Sequence, residues 1–199
     1  GFGRMIEIRK GIHADIPEIV KIYEQILDRE ERGKATTGWI RGIYPTEQTA
    51  LEALYAGELF VLQDGGIVAA AARINQIQVP EYAYASWEFP CAPEEQIMVL
   101  HTLVVAPAFT GKGYGSRFVR FYEQYAAGKG CTYLRMDTNA KNQGARRLYR
   151  GLGYREAGIV SCEFNGIPGV QLVCLEKTLE GKRVAYDTNA KAEEKKTFS

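Results

Sequence analysis

The sequence predicts a mixed α/β fold: one mostly antiparallel central sheet flanked by helices. Three observations predict it. Strand-like and helix-like apolar runs follow one another in the order β-α-α-β-β-β-α-β-α-β-β. Two turn signals, Asp64-Gly65-Gly66 and Asn165-Gly166, each separate a pair of strand-like runs, as in antiparallel hairpins. Between the hairpins, the strand at 97–105 runs through Pro107 and a cluster of glycines into a helix.

Ile6-Glu7-Ile8-Arg9 alternates as a first strand. Asp15 is expected to cap a helix whose apolar face is Ile16, Ile19, Val20, Tyr23, Ile26 and Leu27, with Pro17 tolerated in the first turn. Residues 32–45 hold Gly33, Gly38, Trp39, Gly42 and Tyr44, a loop or broken helix. Thr46 is expected to cap a second helix with Leu51 and Leu54 on its inner side. The runs 58–63 and 67–74 form the first hairpin. Residues 76–95 carry Pro80, Pro90 and Pro93, a density that argues against a central strand. The helix after the glycines places Phe118, Val119, Tyr122, Tyr125 and Ala126 on one face. A strand at 132–137 follows, then a helix at 142–152 with Ala145, Leu148, Tyr149 and Leu152 on one face. Strands at 154–164 and 170–179 close the fold.

A chain of 199 residues with 46% apolar and 25% charged residues is ordinary for one globular domain. Its formal charge of +1 gives no electrostatic case for nucleic acid or a membrane surface, and no apolar run reaches bilayer length. Gly1-Phe2-Gly3-Arg4 reads as an expression scar, 5–180 as the domain, and 181–199 as a charged, mobile tail. Asp-Thr-Asn-Ala-Lys occurs at 137–141 and again at 187–191, without shared flanks, so it is no structural repeat. Cys91, Cys131, Cys162 and Cys174 form neither a CxxC nor a metal spacing, so no metal is expected. They read as reduced thiols of a cytoplasmic protein, although Cys162 and Cys174 flank the last hairpin and could approach one another.

The glycine cluster carries the chemistry. A strand, a glycine turn and a helix N-terminus gather backbone N–H groups under a partial positive charge, which suits a phosphate or pyrophosphate. A P-loop is excluded, because no Gly-Lys-Ser/Thr ending follows. A dinucleotide fingerprint is imperfect: Gly111-Lys112-Gly113-Tyr114-Gly115-Ser116 has serine at the third glycine. Asp137, ending the next strand, stands at a suitable distance for that reading, so a dinucleotide-binding oxidoreductase stays open.

Thr110-Gly111-Lys112-Gly113-Tyr114-Gly115 resembles the R/Q-x-x-G-x-G/A pyrophosphate loop of the GCN5-related N-acetyltransferase superfamily. The segment from Asn142 to Tyr149, followed by Gly151-Leu152-Gly153-Tyr154, is similar to that family's N-x-x-A-x-x-L-Y…GF/GY segment. The order of elements also resembles the family over most of the chain. The resemblance implies an acyl-CoA N-acyltransferase fold, acetyl-CoA as donor, and a small-molecule or peptide primary amine as acceptor. It implies direct attack in a ternary complex and admits a homodimer. A non-catalytic acyl-CoA sensor is the alternative.

The resemblance implies that the backbone of Leu103, Val104 and Val105 pairs with pantetheine along a splayed strand edge. Thr110, Gly111, Lys112, Gly113, Tyr114, Gly115 and Ser116 would hold the pyrophosphate, with Asn142 also at the cofactor. Thr110 departs from the family's Arg or Gln, and Lys112 or Arg117 is expected to replace that contact. Tyr149 matches the family tyrosine that protonates the departing thiolate; by periodicity alone it is a core residue. His101 is similar in position to one of the paired histidines of arylalkylamine N-acetyltransferases and is expected to serve as base. Val99 occupies the second position. Glu88 and Glu95 stand in reserve. Trp39 and Tyr44, Tyr82, Tyr84 and Trp87 with Glu88, and residues 165–169 fall in segments that form the family's acceptor pocket.

Overall fold

The computed structural model describes residues 5–179. The expectations for 1–4 and 181–199 lie outside the described residues. The elements are β1 (Ile6–Lys10), α1 (Ile16–Glu31), α2 (Glu47–Tyr55), β2 (Leu59–Asp64), β3 (Ile67–Asn75), β4 (Ile97–Val105), α3 (Tyr114–Gly128), β5 (Tyr133–Asn139), α4 (Gln143–Gly151), β6 (Arg155–Phe164) and β7 (Ile167–Thr178). Short 3-10 turns lie at His13–Asp15, Pro80–Tyr84, Glu94–Gln96 and Pro107–Phe109.

The strands make one seven-stranded sheet in the order β1-β2-β3-β4-β5-β7-β6. β4 and β5 run parallel; the other neighbours are antiparallel. A doubly wound dinucleotide fold needs a mostly parallel sheet, so this topology overturns the oxidoreductase alternative. Both hairpins form as their turn residues require. Gly65 and Gly66 have φ of +58° and +85°, and Asn165 and Gly166 have +52° and +80°, the left-handed pair of a two-residue hairpin turn.

α3 lays Phe118, Val119, Tyr122 and Ala126, all fully buried, on the sheet face that carries Leu62, Ala70, Met98, Leu134 and Met136. The Tyr122 hydroxyl lies 2.6 Å from the Met98 carbonyl and 3.2 Å from that of Arg135. It therefore bonds across β4 and β5 where they are joined. Removing a buried aromatic such as Phe118 costs about 3–5 kcal/mol.

α1 and α2 cover the other face through Ile16, Ile19, Ile22 and Tyr23 against Val61, Val68, Ala71 and Val104. Leu51 and Leu54 of α2 pack half-buried against this core, as expected, beside the fully buried Ala50 and Ala53; small side chains let this helix lie close to its neighbours. One local expectation is corrected. Asp15 does not cap α1 with its side chain. Its buried carboxylate accepts from Arg9 Nη1 at 2.8 Å, Arg9 Nη2 at 3.0 Å and the Ile12 N–H at 2.8 Å. A bidentate guanidinium partner outcompetes a helix N–H.

Tyr82, Trp87, Ile97, Val99, Leu172 and Cys174 form a further core beneath the proline-rich segment. All four cysteines are free. No helix among the described residues is long and apolar enough to cross a membrane.

Candidate active site

β4 and β5 part after a short seam. Their register covers Ile97↔Tyr133, Met98↔Leu134 and Val99↔Arg135, so β4 has no β5 partner from Leu100 onward. The divergence has a local cause. β3 pairs Arg73 with His101 and Ala71 with Val104, so Thr102 and Leu103 together oppose Ala72, which is a bulge that bends the strand. Thr102 sits at φ +52°, costly for a β-branched residue, at roughly 1–3 kcal/mol. A hydrogen bond between its hydroxyl and that of Tyr44 ties the bulge to the loop between α1 and α2.

The glycine loop enters α3 through Gly111 and Gly113, with φ of +84° and +75°. A Cβ at either would meet nothing within 4 Å, so it is backbone conformation that demands glycine there. Gly115 differs: its Cβ would lie 3.3 Å from Leu148, so it sets the approach of α3 to α4. The first N–H groups of α3 have no intrahelical acceptor and lie at the positive end of the helix dipole. Open space in front of a donor-rich, left-handed turn fits a pyrophosphate. Tyr114 offers only its backbone, because its buried hydroxyl donates to Asp64. Thr110 and Lys112 are exposed, the latter with its ammonium 5.7 Å from the Phe109 ring centre. Arg117 and half-buried Ser116 lie in the first turn of α3.

Two clefts open beside the parted strands. The first, about 230 Å³, is lined by Leu103, Val105, Gly115, Asn142, Tyr149 and Trp39 among others. The second, about 320 Å³, is lined by Tyr23, Glu52, Arg73, Asn75 and His101 among others. Tyr44, Thr102, Asp137, Phe164 and Asn165 line both, so molecules in the two clefts would meet there.

Asp137 is the candidate that sequence reasoning missed; it entered only through the dinucleotide reading. Leu134 and Met136 of β5 face α3, so alternation turns Asp137 to the opposite, covered face. The Tyr82 hydroxyl donates to it at 2.6 Å. Burial pushes its carboxyl up to about 6, against the lowering effect of that hydrogen bond. A carboxylate at an inward strand position was the available signal.

Tyr149, 8% exposed, projects from α4 into the first cleft. Its hydroxyl has no protein partner among the described residues. Burial, then the charge of Asp137, hold its pKa well above the ordinary phenol value, so it stays protonated at neutral pH. Asn142 caps α4, its Oδ1 accepting from the Ala145 N–H at 3.2 Å, and it also lines the first cleft.

His101 lines the second cleft. Its Nε2 lies 2.6 Å from Asn75 Oδ1, an acceptor, so Nε2 carries the proton. Asn75 Nδ2 donates in turn to Glu58 at 3.1 Å, and Arg73 Nε donates to the same oxygen at 2.7 Å. Burial, then the Arg73 charge, lower the His101 pKa to about 4. It is therefore neutral at pH 7 and a weak base.

The aromatic residues divide. Trp39 lines the first cleft and meets Tyr44 edge to face at 5.8 Å. Tyr84 is 80% exposed and lines neither cleft. Trp87 is core: its Nε1 donates to the Tyr82 carbonyl at 2.8 Å, and the Arg135 guanidinium stacks 4.2 Å from its ring centre. Glu88 and Glu95 are exposed and line neither cleft. Tyr84, Trp87 and Glu88, expected at the acceptor, thus lie outside both clefts, in a proline-rich segment that packs over the sheet. Among the described residues no group of His, Cys, Asp and Glu could hold a metal ion.

The model of the acetyltransferase (GNAT) family matches residues 22–154. The N-alpha-acetyltransferase RimI of Mycobacterium tuberculosis is 38% identical over 60 residues, 30% of this chain and 36% of that protein. The chain thus matches about a third of the length of this curated relative. Among solved structures, an acetyltransferase of the GNAT family from Streptococcus agalactiae superposes with a TM-score of 0.73 at 18% identity, covering 89% of this chain and 97% of that one. The ribosomal-protein-S18-alanine N-acetyltransferase of Escherichia coli gives 0.61 at 17%, covering 88% and 94%. The protein yncA of Salmonella typhimurium, solved with its cofactor acetyl-CoA, gives 0.63 at 18%, covering 87% and 94%.

Proposed function

Because the chain belongs to the acetyltransferase (GNAT) family, we propose that it moves the acetyl group of acetyl-CoA to a primary amine by direct attack in a ternary complex. The observation that carries this reading is the junction. The cleft beside the glycine cradle and the cleft beside His101 share Asp137, and Tyr149 stands in the first of them. Acetyl-CoA supplies an activated acyl carbon with a thiolate leaving group. The first turn of α3 and the left-handed glycines bind its pyrophosphate, and the free edge of β4 from Leu103 to Val105 pairs with its pantetheine arm. Backbone N–H groups released by the Thr102 bulge stabilise negative charge on the carbonyl oxygen. Asn142 shapes this cleft by fixing the start of α4.

The reaction forms one C–N bond and breaks one C–S bond. Asp137 takes the proton that leaves the amine, and the Tyr149 hydroxyl gives a proton to the departing sulfur, to be replenished from solvent. Magnitudes favour Asp137 over His101 as the base. An α-ammonium near pKa 8 loses its proton to a group at about 6 for about 3 kcal/mol, but to one at about 4 for about 5 kcal/mol. The difference is roughly a hundredfold in rate. Asp137 also stands at the junction, whereas His101 does not. His101 then serves as a neutral, hydrogen-bonding wall of the acceptor cleft. Four free thiols support a reducing, cytoplasmic setting.

The test incubates the chain with acetyl-CoA and a panel of primary amines and reads free thiol. Amine-dependent thiol release is expected. A rise in melting temperature with coenzyme A but no thiol release with any amine would favour the non-catalytic sensor.

A further inference from the structure

The second cleft has features of its own that bear on which amine it takes, and they concern charge and cover. Its floor is a row of polar side chains on one sheet face. Arg73 of β3 stands beside its register partner His101 on β4, and Asp137 lies on β5 beyond. One end of the cleft therefore carries the Arg73 guanidinium, paired with Glu58, and the other the Asp137 carboxylate, with Glu52 also on the lining. Glu58 engages Arg73 through Nε and Nη2, both at 2.7 Å, which orients the fork. Nη1 has no protein partner among the described residues. The field along the row follows the same polarity: at His101 the influence of Arg73 exceeds that of Glu58, while Tyr149, Tyr82 and Cys174 feel the negative charge of Asp137.

The cover is the loop between α1 and α2, tied down along its length. Glu30 accepts from the Thr37 N–H at 2.9 Å and the Thr37 hydroxyl at 2.6 Å. Arg41 is clasped by Glu24, Asp28 and Glu31 of α1. Tyr44 bonds to Thr102, and Ile43 packs on the opposite hairpin, where a Cβ on Gly166 would come within 3.1 Å of its side chain. Of this loop Tyr44 lines the second cleft, while Thr37, Gly38 and Trp39 line the first, and the second cleft holds a space of about 320 Å³. That is the scale of a small molecule.

We propose that the acceptor is a small free amine bearing its own anionic group, of the α-amino acid class, with its ammonium toward Asp137 and its carboxylate toward Arg73. This rests on the acetyl-transfer reading for turnover, but not for binding. A zwitterion satisfies both ends of the row. A simple alkylamine leaves Arg73 Nη1 without an acceptor, and a peptide replaces the carboxylate by an amide.

The experiment has two arms. In the first, thiol release from acetyl-CoA is compared across the proteinogenic L-amino acids, their carboxamides, the matching decarboxylated amines and short peptides with the same N-terminal residues. The amino acids should exceed their carboxamides in kcat/KM by about tenfold to a hundredfold, the size of one charge-assisted hydrogen bond. R73Q should erase that preference by lowering turnover of the acids alone, and R73K should restore part of it. In the second arm, melting temperature is read with the same compounds in the presence of coenzyme A. Stabilisation by amino acids over carboxamides supports the acceptor class even if no thiol is released, in which case the catalytic reading alone fails. Equal or better turnover of carboxamides, amines or peptides overturns the proposal. So does stabilisation indifferent to the carboxylate, or absent with every amino acid. The acid-against-carboxamide comparison on the unaltered protein holds whether or not R73Q folds.

Discussion

Replacing Asp137 by Asn tests the assignment of the base and has two readouts with independent magnitudes. The carboxyl pKa is raised from the ordinary 3.8 to about 6 in the folded protein. A group raised in this way contributes stability that is complete below the unfolded pKa and is lost as pH rises through the folded pKa. About two units correspond to about 3 kcal/mol. Asn keeps an oxygen for the Tyr82 hydroxyl but cannot ionise. D137N should therefore gain on the unaltered protein between pH 4 and 7, by up to about 3 kcal/mol, or about 6–12 °C in melting temperature. Activity should move the other way, with kcat/KM falling about a hundredfold to ten-thousandfold. In the unaltered protein log kcat/KM should rise with pH through an inflection near 6, before the rise set by the amine itself. D137N should lose that inflection. An acid limb near 4 would identify His101 instead. An inflection near 6 that survives in D137N, or a melting difference that does not change with pH, would refute the reasoning.

His101 has the opposite sign. Its folded pKa is lowered to about 4 from 6.5, so its stabilising contribution is present above 6.5 and lost as pH falls toward 4, about 3 kcal/mol in all. The two effects oppose one another between pH 4 and 6, and H101Q should unmask the Asp137 slope as a melting temperature that climbs on acidification. Tyr149→Phe should lower kcat about a hundredfold with little change in KM. Melting should be unchanged or higher, because the hydroxyl removed has no protein partner. Gly113→Ala places a Cβ on backbone at φ +75° with open space around it. Strain alone should cost about 1–2 kcal/mol, visible by thermal melting, and the new methyl in the cradle should weaken coenzyme A about tenfold in a direct titration.

What was legible in the sequence was what neighbouring residues decide. Gly65-Gly66 and Asn165-Gly166 are turns because their backbone demands left-handed angles. Gly111 and Gly113 mark the cradle for the same reason, and a helical period placed Tyr149 on the inner side of α4. The order of strands and helices followed from such local rules. Three things did not. Asp15 looked like a helix cap because the rule counts spacing along the chain and cannot see Arg9 arriving on β1. Trp87 looked like a pocket wall because aromatic density does not reveal that Arg135 and Tyr82 enclose it. Asp137 ended a strand like many surface acids; only the cover supplied by Tyr82, and the parting of β4 from β5, make it a half-buried carboxylate between two clefts. The row from Arg73 to Asp137 crosses three strands and has no linear signature.

The seam between β4 and β5 has a mechanical consequence. Three residue pairs are the strand ladder between a four-stranded block, β1 to β4, and a three-stranded block, β5, β7 and β6, and the Tyr122 hydroxyl and the Thr132 N–H on the Gln96 carbonyl reinforce it. A ligand arm lying along the free edge of β4 takes the place of missing strand and turns a notched plate into a continuous one. Resistance to unfolding then tracks metabolic supply: at a donor concentration one hundred times its dissociation constant, the folded state gains about 2.7 kcal/mol. Hydrogen exchange should report this gain along the facing edges of β4 and β5, and much less in the outer strands.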